Sequence, residues 1–89
     1  MIEQTFTIIN KLGLHARAAA KLVTTASQFE ADIQITKGER TVNGKSIMGL
    51  MMLAAAKGTK ITVCANGDDA QHAIQSIELL INDYFEEGE

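Results

Sequence analysis

Apolar residues in this chain repeat with two different periods that take turns along it, and that alternation leaves few ways to fold. Residues 2–9 put Ile2, Gln4, Phe6 and Ile8 on one side and mostly Thr and Glu on the other, as a half-buried strand requires. Ala31, Ile33 and Ile35 alternate in the same way, and so do Ile61, Val63 and Ala65. Between the first two strands, residues 16–29 switch to the helical period. Ala18, Ala19, Leu22, Val23 and Ala26 share a core-facing side, and Arg17, Ala20, Lys21, Thr24 and Gln28 share the exposed one. Lys37-Gly38-Glu39-Arg40 followed by Thr41-Val42 predicts a hairpin that ends at Asn43-Gly44. Ser46 is the expected N-cap of a brief helix through Ile47, Met48, Leu50, Met51 and Leu53, closed near Gly58, with Gly49 working against it. Asn66-Gly67-Asp68-Asp69 turns into the last helix. There Asp68 and Gln71 have capping-box spacing, and Ala70, Ala73, Ile74, Ile77, Leu80, Ile81 and Tyr84 form the apolar side. Strand, helix, strand, strand, helix, strand, helix is the order of a two-layer α+β sandwich, with helices on one face of an antiparallel sheet.

Eighty-nine residues with 46% hydrophobic content suit one compact domain over residues 1–89, and no proline or low-complexity stretch marks a linker. The single Cys64 has no internal disulfide partner and is expected as a small packing residue in its strand. No basic segment followed by an apolar one opens the chain, so the expectation is a cytoplasmic protein in a reducing compartment. The longest apolar run, residues 47–56, would rise only ~15 Å as a helix against a ~30 Å hydrocarbon core, so membrane insertion is not expected.

Net charge is −3, which argues against nonspecific nucleic-acid binding, but the signs are unevenly distributed. Seven of the eight cations lie in acid-free stretches: Lys11, Arg17 and Lys21 between residues 4 and 29, and Arg40, Lys45, Lys57 and Lys60 between residues 40 and 67. Folded together, these would make a basic face for acidic partners or a phosphate, with the acid concentrated in residues 78–89 and at Glu30 and Asp32.

His15 stands where the first helix should begin, at a position that normally favours Ser, Thr, Asp or Asn. By type alone a histidine is more often a surface residue than a nucleophile. Its setting reverses that preference: it faces unpaired backbone N–H groups, and Arg17 follows two residues later. The positive end of the helix dipole, worth ~0.3 to 1 kcal/mol, and the guanidinium both disfavour imidazolium. A neutral ring keeps a lone pair for attack, and the same donors would stabilise a phosphoryl group on it. Gly13 before it is expected to give the turn flexibility, so that a partner's active site can close around the group.

Ser46 needs no modification to be useful as a cap, yet a phosphate there would add ~1.5 to 2 negative charges to a surface that Lys45 and Arg17 make attractive to acidic partners. Asn43-Gly44-Lys45-Ser46 is similar to the end of a P-loop, but five residues separate Gly38 from Gly44 and a turn precedes it, which excludes a nucleotide site. Met48, Met51 and Met52 are expected mainly in the core, with one or two exposed as an adaptable docking patch. His72 is expected on the solvated side of the last helix. It forms no metal-ligand spacing with His15 or Cys64, so neither metal nor cofactor is implied.

Two motifs at this spacing carry a resemblance that covers essentially the whole chain. Gly13-Leu14-His15-Ala16-Arg17 resembles the active-site signature of the HPr family, the histidine-containing phosphocarriers of the bacterial phosphoenolpyruvate-dependent sugar phosphotransferase system. Val42-Asn43-Gly44-Lys45-Ser46-Ile47-Met48-Gly49-Leu50 resembles that family's regulatory-serine segment. The resemblance implies an open-faced sandwich with sheet order 1-4-2-3 and three helices on one face. It implies that His15 accepts a phosphoryl group from phosphorylated enzyme I and passes it to an enzyme IIA component in sugar uptake, assisted by Arg17, with catalysis supplied by the partners. It also implies Ser46 as a target of HPr kinase/phosphorylase, and docking through Ala20, Lys21, Thr24, Lys45, Ile47, Met48 and Met51 beside Arg17. Many members have Pro where this chain has Ala18; Ala is a good helix former, so the helix start is kept while some rigidity of the turn is lost.

Two other readings stand beside this one: a regulatory or nitrogen-branch phosphocarrier without sugar transport, and a small-molecule or RNA-binding α+β module. RNA binding would need stacking aromatics on the sheet, and the only aromatics are Phe6, Phe29, Tyr84 and Phe85, at core-facing or C-terminal positions. A monomer is expected of a carrier that presents one face to successive partners.

Overall fold

Four strands form one sheet in the order β1-β4-β2-β3, every neighbouring pair antiparallel. They are β1 (Ile2–Thr7), β2 (Asp32–Lys37), β3 (Arg40–Asn43) and β4 (Lys60–Asn66), joined by α1 (Ala16–Ala26), α2 (Ile47–Met52) and α3 (Ala70–Asn82). The structure, a computed structural model, describes Met1–Glu89. Register follows from the alternation in the sequence. Phe6 lies opposite Ile61, and Val63 opposite Ile35, which in turn faces Val42, so one face of the sheet is apolar. The three helices cover that face, and 22 buried apolar residues form a single core between the layers. The opposite face carries a row of threonines, with Thr5 and Thr62 hydroxyls 3.0 Å apart and those of Thr36 and Thr41 at 2.8 Å. No aromatic side chain lies on it.

Cys64 belongs to this outer face rather than to the core. It pairs with Glu3 across the β1–β4 ladder, and its thiol donates to the Glu3 carboxylate at 3.1 Å. That hydrogen bond, then partial burial and the Glu3 charge, push the thiol above its ordinary pKa and away from reactivity.

Several expected boundaries shift. Helix α2 closes at Met52, well short of Gly58, because β2 and β3 supply donors to its end. Lys37 Nζ donates to the carbonyls of Leu53 and Ala54, and Arg40 Nη1 to that of Met52. So short a helix buries only Leu50, with Leu53 just beyond it. Met48, Met51 and Met52 are all exposed, at 76%, 46% and 60%, so none belongs to the core. The expected Asp68 capping box does not form either: Asp69 is the N-cap of α3, and its carboxylate reaches across to accept from the amides of Glu30 and Ala31.

At the other end of α3 the chain leaves helical geometry. Tyr84, Phe85 and Glu86 have φ of 56°, 53° and 65°, a left-handed turn that costs each such residue about 1–2 kcal/mol. The turn rotates Phe85 into the core in place of the expected Tyr84, and full burial of that ring offsets part of the cost, roughly 1.5–3 kcal/mol. It also sends residues 86–89 back toward the start of α1.

Candidate functional site

The loop from β1 to α1 is pinned at several points. Ile8 N–H donates to Thr59 O at 2.9 Å and Leu14 N–H to Ala55 O at 2.8 Å. Asn10, fully buried, donates from Nδ2 to Gly13 O at 2.7 Å. Gly13 has φ +70°, and a Cβ there would lie 2.7 Å from Ala55 O and 2.9 Å from Ala56 Cα. The glycine therefore serves close approach in a left-handed conformation, not flexibility.

That loop delivers His15 as the N-cap of α1 in extended conformation, φ −78° and ψ 179°. Its carbonyl accepts from Ala19 N–H at 2.8 Å, but its side chain makes no cap, so the amides that open α1 receive nothing from the residue before them. The ring is 29% exposed. Arg17 lies beside it, exposed and without an ion pair inside the chain.

The acidic end of the chain folds onto this basic start, which changes the electrostatics expected from sequence. Glu87 Oε2 contacts His15 Nε2, while Glu87 Oε1 accepts from Asn10 Nδ2 at 3.0 Å. Lys21 Nζ donates to Phe85 O at 2.9 Å and lies 3.5 Å from Glu86 Oε1, and Lys11 N–H donates to Glu89 O. An open depression results, lined by His15, Arg17, Lys11, Lys21, Glu87 and Glu89 among others. Burial alone would raise the Glu87 carboxyl pKa, but hydrogen bonds from Asn10 and His15 and the charges of His15 and Lys21 outweigh it and hold the group below the usual carboxylate range. His15 thus has a carboxylate neighbour as well as a guanidinium. Residue-by-residue reading missed Glu87. The available signal was the match between acid-free cationic stretches and an acid-rich end, although nothing local said where the two would meet.

The remaining sequence-derived candidates divide into separate places. Lys21, Ala20 and Thr24 line a groove between α1 and α3 with Leu80 and Glu86, and Thr24 Oγ1 donates back to Ala20 O. Ile47, Met48 and Met51 present apolar surface on α2, which packs beside α1. Lys45 is held away from His15, its Nζ donating at 2.7 Å to Phe29 O beyond the C-terminal end of α1. Ser46 caps α2, its Oγ accepting from Gly49 N–H at 3.1 Å. His72 is exposed on α3.

A β1-β4-β2-β3 sandwich whose first helix opens on an uncapped histidine, with an arginine in the same depression, fits the class of small phosphocarrier proteins. Residues 2–83 match the family described as PTS HPr component phosphorylation site. The chain is 57% identical over 89 residues to the phosphocarrier protein HPr of Neisseria meningitidis, covering 100% of both. It is 45% identical over 87 residues to the phosphocarrier protein NPr of Shewanella violacea, covering 98% of this chain and 96% of that one. Among solved structures, HPr-C-His from Thermoanaerobacter tengcongensis matches with TM-score 0.94 and 46% identity over 98% of each chain. An HPr dimer from the same organism matches at 0.77 with 46% identity, over 96% of this chain and 98% of that one. The chain belongs to the HPr family, the phosphocarriers of the phosphotransferase system.

Proposed function

We propose that His15 accepts a phosphoryl group from phosphorylated enzyme I and donates it to enzyme IIA components in sugar uptake, with Arg17 neutralising the charge of the transferred group. The observation that carries this reading is the uncapped start of α1. His15 occupies the cap position without using it, so the amide dipoles behind it and the ring nitrogen that Glu87 does not contact remain available to a phosphoryl group. Transfer forms a nitrogen–phosphorus bond as the donor's bond to phosphorus breaks, and the reverse exchange passes the group on. The partners supply the rest of the transition-state electrostatics. Ala20, Lys21 and Thr24 on α1, Lys45 ahead of α2, and Ile47, Met48 and Met51 on α2 form the docking surface, with Lys45 also bracing the segment between the two helices through Phe29 O. The protein acts as a cytoplasmic monomer.

Ser46 is the proposed regulatory site for HPr kinase/phosphorylase, its phosphate setting negative charge beside the apolar residues of α2. The nitrogen-branch alternative draws support from the NPr relative; it keeps the same chemistry at His15 and differs in the partners served. Incubation with phosphoenolpyruvate and enzyme I should add one phosphate in an acid-labile, base-stable linkage, and His15→Ala should abolish it. A mass gain that persists in this variant would overturn the assignment.

A further inference from the structure

We propose that Glu87 is a positioning residue for His15: its carboxylate holds the Nε2 proton of the ring, so that the lone pair used in phosphoryl transfer sits on Nδ1. This rests on His15 being the phosphoryl acceptor and adds a residue 72 positions away to the machinery. A glutamate near a chain end is ordinarily solvated, yet this side chain is only 10% exposed. Each of its oxygens has a separate task. Oε2 faces His15 Nε2, and Oε1 is fixed by Asn10, whose other amide hydrogen reaches Gly13 O in the turn that delivers the histidine. Ring and carboxylate are therefore keyed to the same buried side chain. Phe85, fully buried two residues earlier and with its carbonyl bound by Lys21, anchors the segment from the other side.

The chemistry needs such a group. A neutral imidazole with its proton on Nε2 attacks phosphorus through Nδ1; the Nδ1–P bond forms as the donor's bond to phosphorus breaks, and the ring becomes cationic while the phosphoryl oxygens keep their negative charge. Glu87 faces the nitrogen that carries the proton, and so it stabilises the cationic ring of the transition state more than the neutral ring before attack. The logic is that of the aspartate behind the histidine in hydrolase triads, except that here the histidine is itself the nucleophile. Lys11, Arg17 and Lys21 are the cations that line the depression, and Glu86 and Glu89 line it beside Glu87, with Lys21 held by Phe85 O and Glu86.

Glu87→Gln separates positioning from mere latching. Asn10 keeps its acceptor oxygen, so the new NH2 faces Nε2 and asks for a lone pair there, inverting the tautomer. Nitrogen-15 NMR of the unphosphorylated proteins should find His15 as the Nε2–H form in the wild type and shifted toward Nδ1–H in Glu87→Gln, with both proteins melting as folded domains. Transfer from enzyme I should fall about 10- to 100-fold, the scale of loss found when the carboxylate behind a metal-ligating histidine is removed. Phosphorylated wild type should carry its phosphate on Nδ1. An unchanged tautomer in Glu87→Gln, a transfer rate within about twofold of wild type, or a phosphate on Nε2 would each overturn the proposal. Failure of wild type to accept phosphate at His15 would instead overturn the carrier reading, which the tautomer measurement does not depend on.

Discussion

Helices α1 and α2 both open from a residue in extended conformation, His15 at φ −78° and Ser46 at φ −119°, yet they treat their first amides in opposite ways. Ser46 turns its hydroxyl inward and accepts from Gly49 N–H, whereas the His15 ring turns outward to Glu87. A capping oxygen is typically worth about 1 kcal/mol, so α1 forgoes that much where α2 secures it. The two helices differ in what else holds them. Over 11 residues α1 buries Ala18, Ala19, Leu22 and Ala26, while α2 has 6 residues and buries only Leu50. A helix with a long packed face can leave its start free for chemistry; one that packs through a single leucine depends on its cap. On the proposed function, the contrast places reactivity where local stability is in surplus.

The most severe way to break this contrast is to disturb the turn that delivers the uncapped residue. Gly13→Ala should destabilise the domain by about 2–5 kcal/mol, combining a left-handed alanine with a Cβ pressed on the Ala55–Ala56 backbone. Denaturant unfolding checks it, and a loss below about 1 kcal/mol would mean that the loop is not pinned as described.

Exchanging the roles of the two caps sharpens the comparison at smaller cost. Ser46→Ala should lower stability by about 1 kcal/mol and leave phosphorylation by enzyme I within a few-fold of wild type. His15→Ser should abolish phosphorylation and raise stability by about 0.5–1 kcal/mol, since serine can cap the same amides. Paired unfolding and transfer assays decide both; a destabilised His15→Ser variant would show that the Glu87 contact outweighs the missing cap.

The smallest effect concerns α3, whose cap carboxylate serves another segment. Asp69 is held below the ordinary carboxylate pKa chiefly by the Glu30 N–H, against some burial and with help from Ala31 N–H, its own N–H and the charge of Lys45. The unfolded chain therefore binds this proton at higher pH than the folded one. The stabilisation is complete above the ordinary Asp pKa of about 4 and is lost as pH falls through the depressed folded value. Asp69→Asn should accordingly weaken the dependence of Tm on pH below about 4 while changing its shape little near neutrality. Parallel acid-limb slopes for the two proteins would remove Asp69 from the acid transition.

Much of the fold was legible because strands and long helices announce themselves locally. Ile33, Ile35, Ile61 and Val63 alternate, and all four are fully buried on one face; Ala73, Ile74, Ile77 and Ile81 repeat at helical steps and line α3. The place of His15 as an unused cap of α1 was legible for the same reason, since a poor cap before a good helix can be recognised within a few residues. Met48, Met51 and Met52 are all exposed, more than the one or two that their sequence allows for, because apolar character marks a residue only as able to be buried and α2 is too short to turn more than one or two of its side chains inward. Helical spacing places Tyr84 on the apolar side of α3, but a left-handed turn breaks that spacing and rotates Phe85 inward instead.

Amino-acid order alone pointed to the class of this protein: alternating periods dictate two layers, and a histidine followed by arginine at a helix opening is the signature on which the proposed carrier site rests. Packing decided the neighbours of that histidine. Whether Glu87 reaches it depends on where α3 ends, how residues 84–86 turn, and which buried amide waits at Asn10. Periodicity is encoded over three or four residues, whereas the meeting of groups 72 apart is fixed only when the core places both ends of the chain side by side.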